Sequence, residues 1–150
     1  MLRPMAELPA PGELFEFDPK IAEEAFRGTF PGHLGIEITE LEADRVVGRM
    51  VVDQRHLHPG QYVHGGVWVA FADTVAAWRT MRNLRPGWNF TTAELKVNVL
   101  AAGRSGDEFI GTGVPLHVGK RTQVWEVRVT RGEQLCANFI CTQMCLEPKN

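Results

Sequence analysis

From Val67 to Trp78 the chain reads VWVAFADTVAAW, and only Asp73 and Thr74 in this run are polar. Gly65 and Gly66 precede it and Arg85, Pro86 and Gly87 follow, so the spacing predicts one helix over roughly 66–82. A helix that is apolar all round has to be buried. A single helix of this kind needs cover on most sides, which an antiparallel sheet curled around it supplies. The carboxylate in its middle is costly to bury unless it is paired or has a task. On local grounds Asp73 is either a structural group satisfied by neighbouring N–H donors or a functional one.

The rest of the chain provides the sheet. Residues 1–17 are Pro-rich and are expected to be poorly ordered; residues 18–150 read as one domain. Residues 18–28 predict a short helix with Asp18 as N-cap, Pro19 at the first helical position and Gly28 as its stop. A loop, TFPGHLG, follows, and residues 35–53 predict a β-hairpin about Glu42–Ala43–Asp44. After the helix come four strand-like runs. In TTAELKVNVLA, Ala93, Leu95, Val97 and Val99 alternate with Thr92, Glu94, Lys96 and Asn98. Tight turns are expected at Gly119–Lys120 and Arg131–Gly132. The fold class is α+β. One sheet leaves edges and part of the helix bare, so a homodimer is expected to complete the burial.

With 150 residues and a net charge of −2, the chain has room for one core and no broad electrostatic footprint for nucleic acid or an anionic membrane. No apolar run approaches the ~20 residues that span a bilayer. The first residues, MLRPMAELPAPGELFEF, interrupt with prolines and acids the apolar segment a signal peptide needs. Cys136, Cys141 and Cys145 fall in one strand-like run, and their odd number and position read as reduced thiols of a cytoplasmic protein.

Gly65 and Gly66 lie where loop becomes helix. Backbone N–H groups there lack intrahelical acceptors and carry the positive end of the dipole, and glycine admits a ligand close to the backbone. Such a place polarises a carbonyl and holds an oxyanion. Asp73 is suited to act as a general base toward water or as a nucleophile. Yet eight residues separate Gly65 from Asp73, about 12 Å along a helix, too far for both to touch one carbonyl. Two such helices antiparallel across a two-fold axis bring the Gly65 end of one beside Asp73 of the other.

The order GQYVHGGVWVAFADTVAA, then TTAELKVNVL, then HVGKRTQVWEVRV resembles the hotdog-fold acyl-CoA thioesterases, and within them the PaaI and 4-hydroxybenzoyl-CoA thioesterase group. The resemblance covers roughly residues 30–146. It implies a curved antiparallel sheet wrapped around one long central helix, assembled as homodimers and homotetramers that hydrolyse acyl-CoA to the free acid and CoA. It places the catalytic acid on Asp73, the backbone donor to the thioester carbonyl on Gly65, and the substrate- or loop-holding histidine on His64. The family's Asn or Gln, six residues before that histidine, falls on His58, and a common glycine falls on Gln61. Either His58 or Gln61 then takes the polar role, or the loop is shifted by one residue. Gly66 and Thr74 join the substrate side. Val118, Gly119, Lys120, Arg121 and Thr122 fall where the family approaches the pantetheine and nucleotide of CoA, and Arg104 is a further candidate for the nucleotide rim. No metal or organic cofactor is implied, and the spacing of His56, His58 and His64 matches no closed metal site.

Two other classes remain open on the same fold, a non-catalytic acyl-CoA-binding module and a hydratase or dehydratase of acyl thioesters, and beside them a structural or interaction protein with a degenerate site that binds no CoA ester. Taken locally, Lys120 and Arg121 read as a solvated turn, and Trp68, Trp78 and Trp88 as core or interface rather than the lining of an aryl-acyl pocket.

Overall fold

The computed structural model describes residues 9, 10, 12, 13 and 15–149. Helix α1 (Pro19–Phe26) starts as its sequence predicts: the Asp18 carboxylate accepts from Lys20 N–H at 2.9 Å, and Gly28 adopts φ 71° past the end. The segment expected to be a loop carries a single helical turn, α2 (Phe30–His33). Its proline sits in the first turn, where a missing N–H costs nothing. Strands β1 (Glu37–Leu41) and β2 (Val46–Val51) form the expected hairpin, closed by Glu42 N–H to Arg45 O at 2.8 Å. A 3₁₀ turn (Gln54–His56) and a loop lead into α3 (Gly65–Asn83). Then come β3 (Asn89–Val99), β4 (Glu108–Val118), β5 (Thr122–Arg131) and β6 (Gln134–Leu146).

The six strands form one antiparallel sheet in the order β1-β2-β4-β5-β6-β3, curled around α3. The helix settles closely because β2 and β4 present bare backbone beneath it. Gly48 and Gly111 are paired across these strands. A Cβ on Gly48 would lie 2.5 Å from Val75 Cγ2, and one on Gly111 would lie 3.1 Å from the Phe71 ring. Trp68 packs on Phe109 with ring centroids 4.6 Å apart, and Trp78 meets Phe17 and Phe26 edge-on at 6.1 and 5.7 Å. Trp88 is buried with Leu84 and Cys145 in a smaller cluster. All three tryptophans are therefore core. The three cysteines are free and buried.

Poor order was expected over 1–17, of which residues 1–8, 11 and 14 lie outside the described residues. Among those described, Phe15 and Phe17 pack against the core, Gly12 N–H reaches Met81 O at 2.9 Å, and the Arg82 guanidinium stands 5.3 Å over the Phe15 ring. Burial of the two aromatic rings offsets part of what ordering these few residues costs.

Two features position the site. One stripe of α3 remains partly exposed, comprising Val69, Ala70, Asp73, Thr74, Ala77 and Met81. Beside it runs β3, the last strand of the sheet, with its outer edge unpaired among the described residues. Leu95 and Val99 of β3 oppose the buried Cys141 and Ala137, yet remain 41% and 46% exposed.

The second feature corrects the alternation expected in β3. The β3–β6 register slips between Thr92 and Glu94, leaving Ala93 as an extra residue. Thr92 opposes Gln143, while Leu95, Val97 and Val99 oppose Cys141, Phe139 and Ala137. Thr92 therefore faces the helix with the apolar set and not the outside with Glu94 and Lys96. A bulge re-aims the side chains on one side of it, and a strict period of two carries no sign of it.

Candidate functional site

Asp73 sits half-buried in the middle of the uncovered stripe. Its Oδ1 accepts from the Thr92 hydroxyl at 3.0 Å and, more weakly, from Gln143 Nε2 at 3.4 Å. Its Oδ2 accepts from none of the described residues and is not sealed from solvent. Burial pushes the Asp73 carboxyl above the ordinary aspartate range, and the Thr92 and Gln143 bonds pull it partly back. No cation among the described residues pairs with it. The carboxylate is thus held by neutral donors on one oxygen and left open on the other.

Thr92 and Gln143 were not singled out from the sequence. Thr92 was hidden by the bulge. Gln143 carried a signal: the inward series of β6, Ala137, Phe139, Cys141, Gln143 and Cys145, has one amide in it. Gln123 interrupts the inward series of β5 in the same way and pairs with Gln143.

The other end of α3 is built by the loop from Leu57 to Val63, which closes on itself through a bridge between those residues. His58 Nδ1 accepts from Gly60 N–H at 2.9 Å, and Gln61 N–H donates to His58 O at 2.9 Å. Gln61 adopts φ 65°, the left-handed conformation that favours glycine. The residue with glycine-like geometry is therefore Gln61 itself, three before His64. Gln61→Gly is expected to raise stability by about 0.5–1 kcal/mol, measured by thermal unfolding.

His64 is the N-cap of α3, its Nδ1 accepting from Gly66 N–H at 2.9 Å. That bond uses the Gly66 donor and leaves Gly65 N–H without an acceptor among the described residues. A Cβ at Gly65 would meet nothing within 4 Å, so the approach to this N–H is open. With Nδ1 accepting, neutral His64 carries its proton on Nε2, toward the exposed side. His56 differs. It is fully buried, its Nδ1 accepts from Asp53 N–H at 2.8 Å, and its Nε2 lies 2.7 Å from Leu34 O, so both nitrogens hold the loop. Thr74 shares the stripe with Asp73 but donates its hydroxyl to Ala70 O at 2.7 Å, within its own helix.

The expected CoA-binding residues form the β4–β5 turn. Gly119 N–H closes it on Thr122 O at 2.9 Å. Lys120 stands 5.6 Å over the Trp88 ring and 3.5 Å from Glu147, whereas Arg121 is exposed and forms no ion pair among the described residues. Val118 pairs with Gln123, Gln123 with Gln143, and Gln143 with Thr92. The turn therefore ends the same inner row that holds Asp73, with Val118 about 10 Å from Gln143 across two strand spacings. Arg104 lies at the other end. Gly103 O accepts from Val63 N–H, one residue before His64, and the Arg104 guanidinium stacks 4.8 Å over Tyr62. One chain so places Asp73 and the Lys120–Thr122 turn on one side, and Gly65, His64 and Arg104 on the other.

An open carboxylate oxygen and an open helix-N-terminal donor are the parts of an acyl-transfer site. The model of the thioesterase superfamily matches residues 60–137, more than half of the chain. The chain belongs to that superfamily. A 1,4-dihydroxy-2-naphthoyl-CoA hydrolase from Listeria monocytogenes is 30% identical over 112 residues, covering 75% of this chain and 88% of that relative. The thioesterase HI1161 from Haemophilus influenzae superposes with a TM-score of 0.81 at 27% identity, covering 89% of this chain and 93% of that one. The E. coli PaaI protein of the phenylacetic acid degradation operon shares the fold, with a TM-score of 0.74 at 23% identity over 85% of this chain and 92% of that one. This thioesterase thus has the hotdog fold its motifs implied, and it is a thioester hydrolase. No helix among its described residues is long and apolar enough to cross a membrane.

Proposed function

We propose that this thioesterase hydrolyses acyl-CoA at a site shared between two copies of the chain. Gly65 N–H of one protomer polarises the thioester carbonyl. Asp73 of its partner takes a proton from water, or attacks directly, through Oδ2. In the base-catalysed route the hydroxide adds to the carbonyl carbon, Gly65 N–H carries the oxyanion, and the C–S bond breaks as Asp73 returns its proton to the CoA thiolate. In the direct route CoA leaves first and water cleaves the acyl–Asp73 anhydride to the free acid. His64 Nε2–H orients the thioester. The Gln61 amide or His58, whose Nδ1 is held by Gly60 N–H and whose Nε2 is left over, orients the water. If the role is that of Gln61, Gln61→Gly lowers kcat severalfold while it stabilises the fold, and an unchanged kcat gives the role to His58.

One observation carries the reading: the two unspent groups of α3, Gly65 N–H and Asp73 Oδ2, stand about 12 Å apart along a helix whose bare face invites a second copy. A pure binding module gains little from a half-buried carboxylate with an open oxygen. CoA suits the basic groups at both ends, Arg104 near the donor and Arg121 in the turn at the end of the row that holds the acid, because its phosphates need cations. Exposed Ile140 and Met144 on the outer sheet face are where such dimers pair into a tetramer.

The test is release of free thiol from aryl-, short-, medium- and long-chain acyl-CoAs, with aryl-CoA included because a relative is named for an aromatic acyl-CoA. Turnover of at least one class, on a species no smaller than a dimer, is expected. Tight acyl-CoA binding without thiol release, or hydration of an enoyl-CoA in its place, would point to one of the two other classes.

A further inference from the structure

Gln143 is an anomaly that hydrolysis by Asp73 and Gly65 does not by itself require. Its side chain is 0% exposed on the inner face of β6, in a series otherwise of alanine, phenylalanine and cysteine. A primary amide costs free energy there unless each of its groups is satisfied. Its Nε2 meets Asp73 Oδ1 at 3.4 Å and Cys141 Sγ at 3.6 Å, and its Oε1 lies 3.1 Å from the Thr92 hydroxyl, whose one proton it shares with Asp73 Oδ1. The opposite orientation of the amide would set Oε1 against a carboxylate oxygen, so the neighbours fix which end faces Asp73.

Thr92 is the second anomaly. It reaches Asp73 because Ala93 bulges out of β3; in a regular strand the inward set at Leu95, Val97 and Val99 would turn Thr92 outward. An amide and a hydroxyl from two neighbouring strands, one delivered by a break in the ladder, thus converge on the same oxygen of one carboxylate. Both leave Oδ2 alone.

We infer that Thr92 and Gln143 are a positioning pair for the hydrolysis, clamping Asp73 by Oδ1 so that Oδ2 faces the incoming thioester and its water. The inference rests on the proposed role of Asp73. The pair acts in two ways. It fixes the carboxylate rotamer, which matters because the reacting atoms have to stand within ~3–3.5 Å. It also donates to the ionised form, the form that accepts a proton, and so counters the effect of burial.

The experiment compares pH profiles of kcat and kcat/KM for wild type, Thr92→Val, Thr92→Ser, Gln143→Met and Asp73→Asn on the best acyl-CoA from the panel. Thr92→Val keeps the shape and removes the donor, and Gln143→Met keeps the length and removes the amide. Each is expected to lower kcat about tenfold, the usual weight of one hydrogen bond to a charged group, with KM changed much less. Each is also expected to move the acidic limb of the profile to higher pH, because one fewer donor stabilises the carboxylate. Thr92→Ser restores both kcat and the limb. A structural role alone would lower thermal stability and leave the limb in place. If Asp73→Asn is inactive while Thr92→Val and Gln143→Met keep the wild-type kcat and profile, the pair is not a positioning device and the assignment of Asp73 stands. If Asp73→Asn keeps wild-type kcat, the proposed function falls and this inference with it.

Discussion

Asp73→Asn is expected to lower kcat/KM by roughly 10²–10⁴-fold and, in the same protein at neutral pH, to raise the melting temperature. The first effect removes the proton acceptor. The second follows from burial, which pushes the folded-state pKa of Asp73 above its ordinary value. A carboxyl held this way favours the folded state when protonated. That contribution is fully present below the unfolded pKa and is lost as pH rises through the higher folded one. At neutral pH the ionised, half-buried carboxylate is therefore a cost. Asparagine removes the charge while its Oδ1 still accepts from Thr92 and Gln143. Relief of strain at functional sites commonly yields about 0.5–2 kcal/mol, and each kcal/mol moves the midpoint of a chain this size by about 2–4 °C. The gain should shrink as pH falls below the folded pKa, where wild type becomes protonated too. Thermal unfolding of both proteins across pH, beside thiol-release kinetics, measures this. A variant that is less stable and equally active would mean that Asp73 is a structural carboxylate.

The helix and its acid were legible because they depend on local pattern. An apolar run with a single carboxylate can only be buried, and two glycines before it can only be an entry. Asp18 and Pro19 were legible for the same reason, since capping is written in adjacent residues. What stayed hidden depends on contacts distant in sequence. The bulge at Ala93 arises in the pairing of β3 with β6, and no run of residues within β3 announces it. It turned Thr92 to the wrong face in the sequence reading and so concealed the partner of Asp73. Gln143 stood in plain view as the one amide in an inward-facing series, but an amide there has a meaning only once Asp73 is known to lie above it. Gln61 departs from the family glycine in the sequence; that its backbone is left-handed, the conformation that favours glycine, is visible only in φ. The packing of Phe15 and Phe17 was masked by prolines that describe the chain around them and not the surface that receives them.

Inactive variants at the two ends of α3 are expected to restore one another when their subunits are mixed. Gly65→Pro removes one backbone N–H and little else. Proline is well tolerated at the first helical position, and His64 before it already has the extended backbone, φ −64° and ψ 139°, that a residue preceding proline adopts. Loss of an oxyanion donor lowers kcat by roughly 10²–10³-fold. Gly65→Ala is the control: its Cβ enters open space and its N–H remains, so it should lose far less. In a dimer of one Gly65→Pro chain and one Asp73→Asn chain, a shared-site arrangement gives one site built from Gly65 and Asp73, both intact, and one built from Pro and Asn. Random reassociation makes half the dimers mixed with one working site each, so activity should return to about a quarter of wild type per chain. Sites contained within single chains would stay silent at every mixing ratio, because each chain lacks one of its two groups. Activity should follow the product of the two subunit fractions, with its maximum at equal amounts. Co-expression with two affinity tags, purification through both, and thiol-release kinetics on the isolated mixed dimer would read the restoration without reliance on subunit exchange. There the value should approach half of wild type per chain. A mixed dimer as inactive as its parents would mean that the acid and the donor of each site come from the same chain.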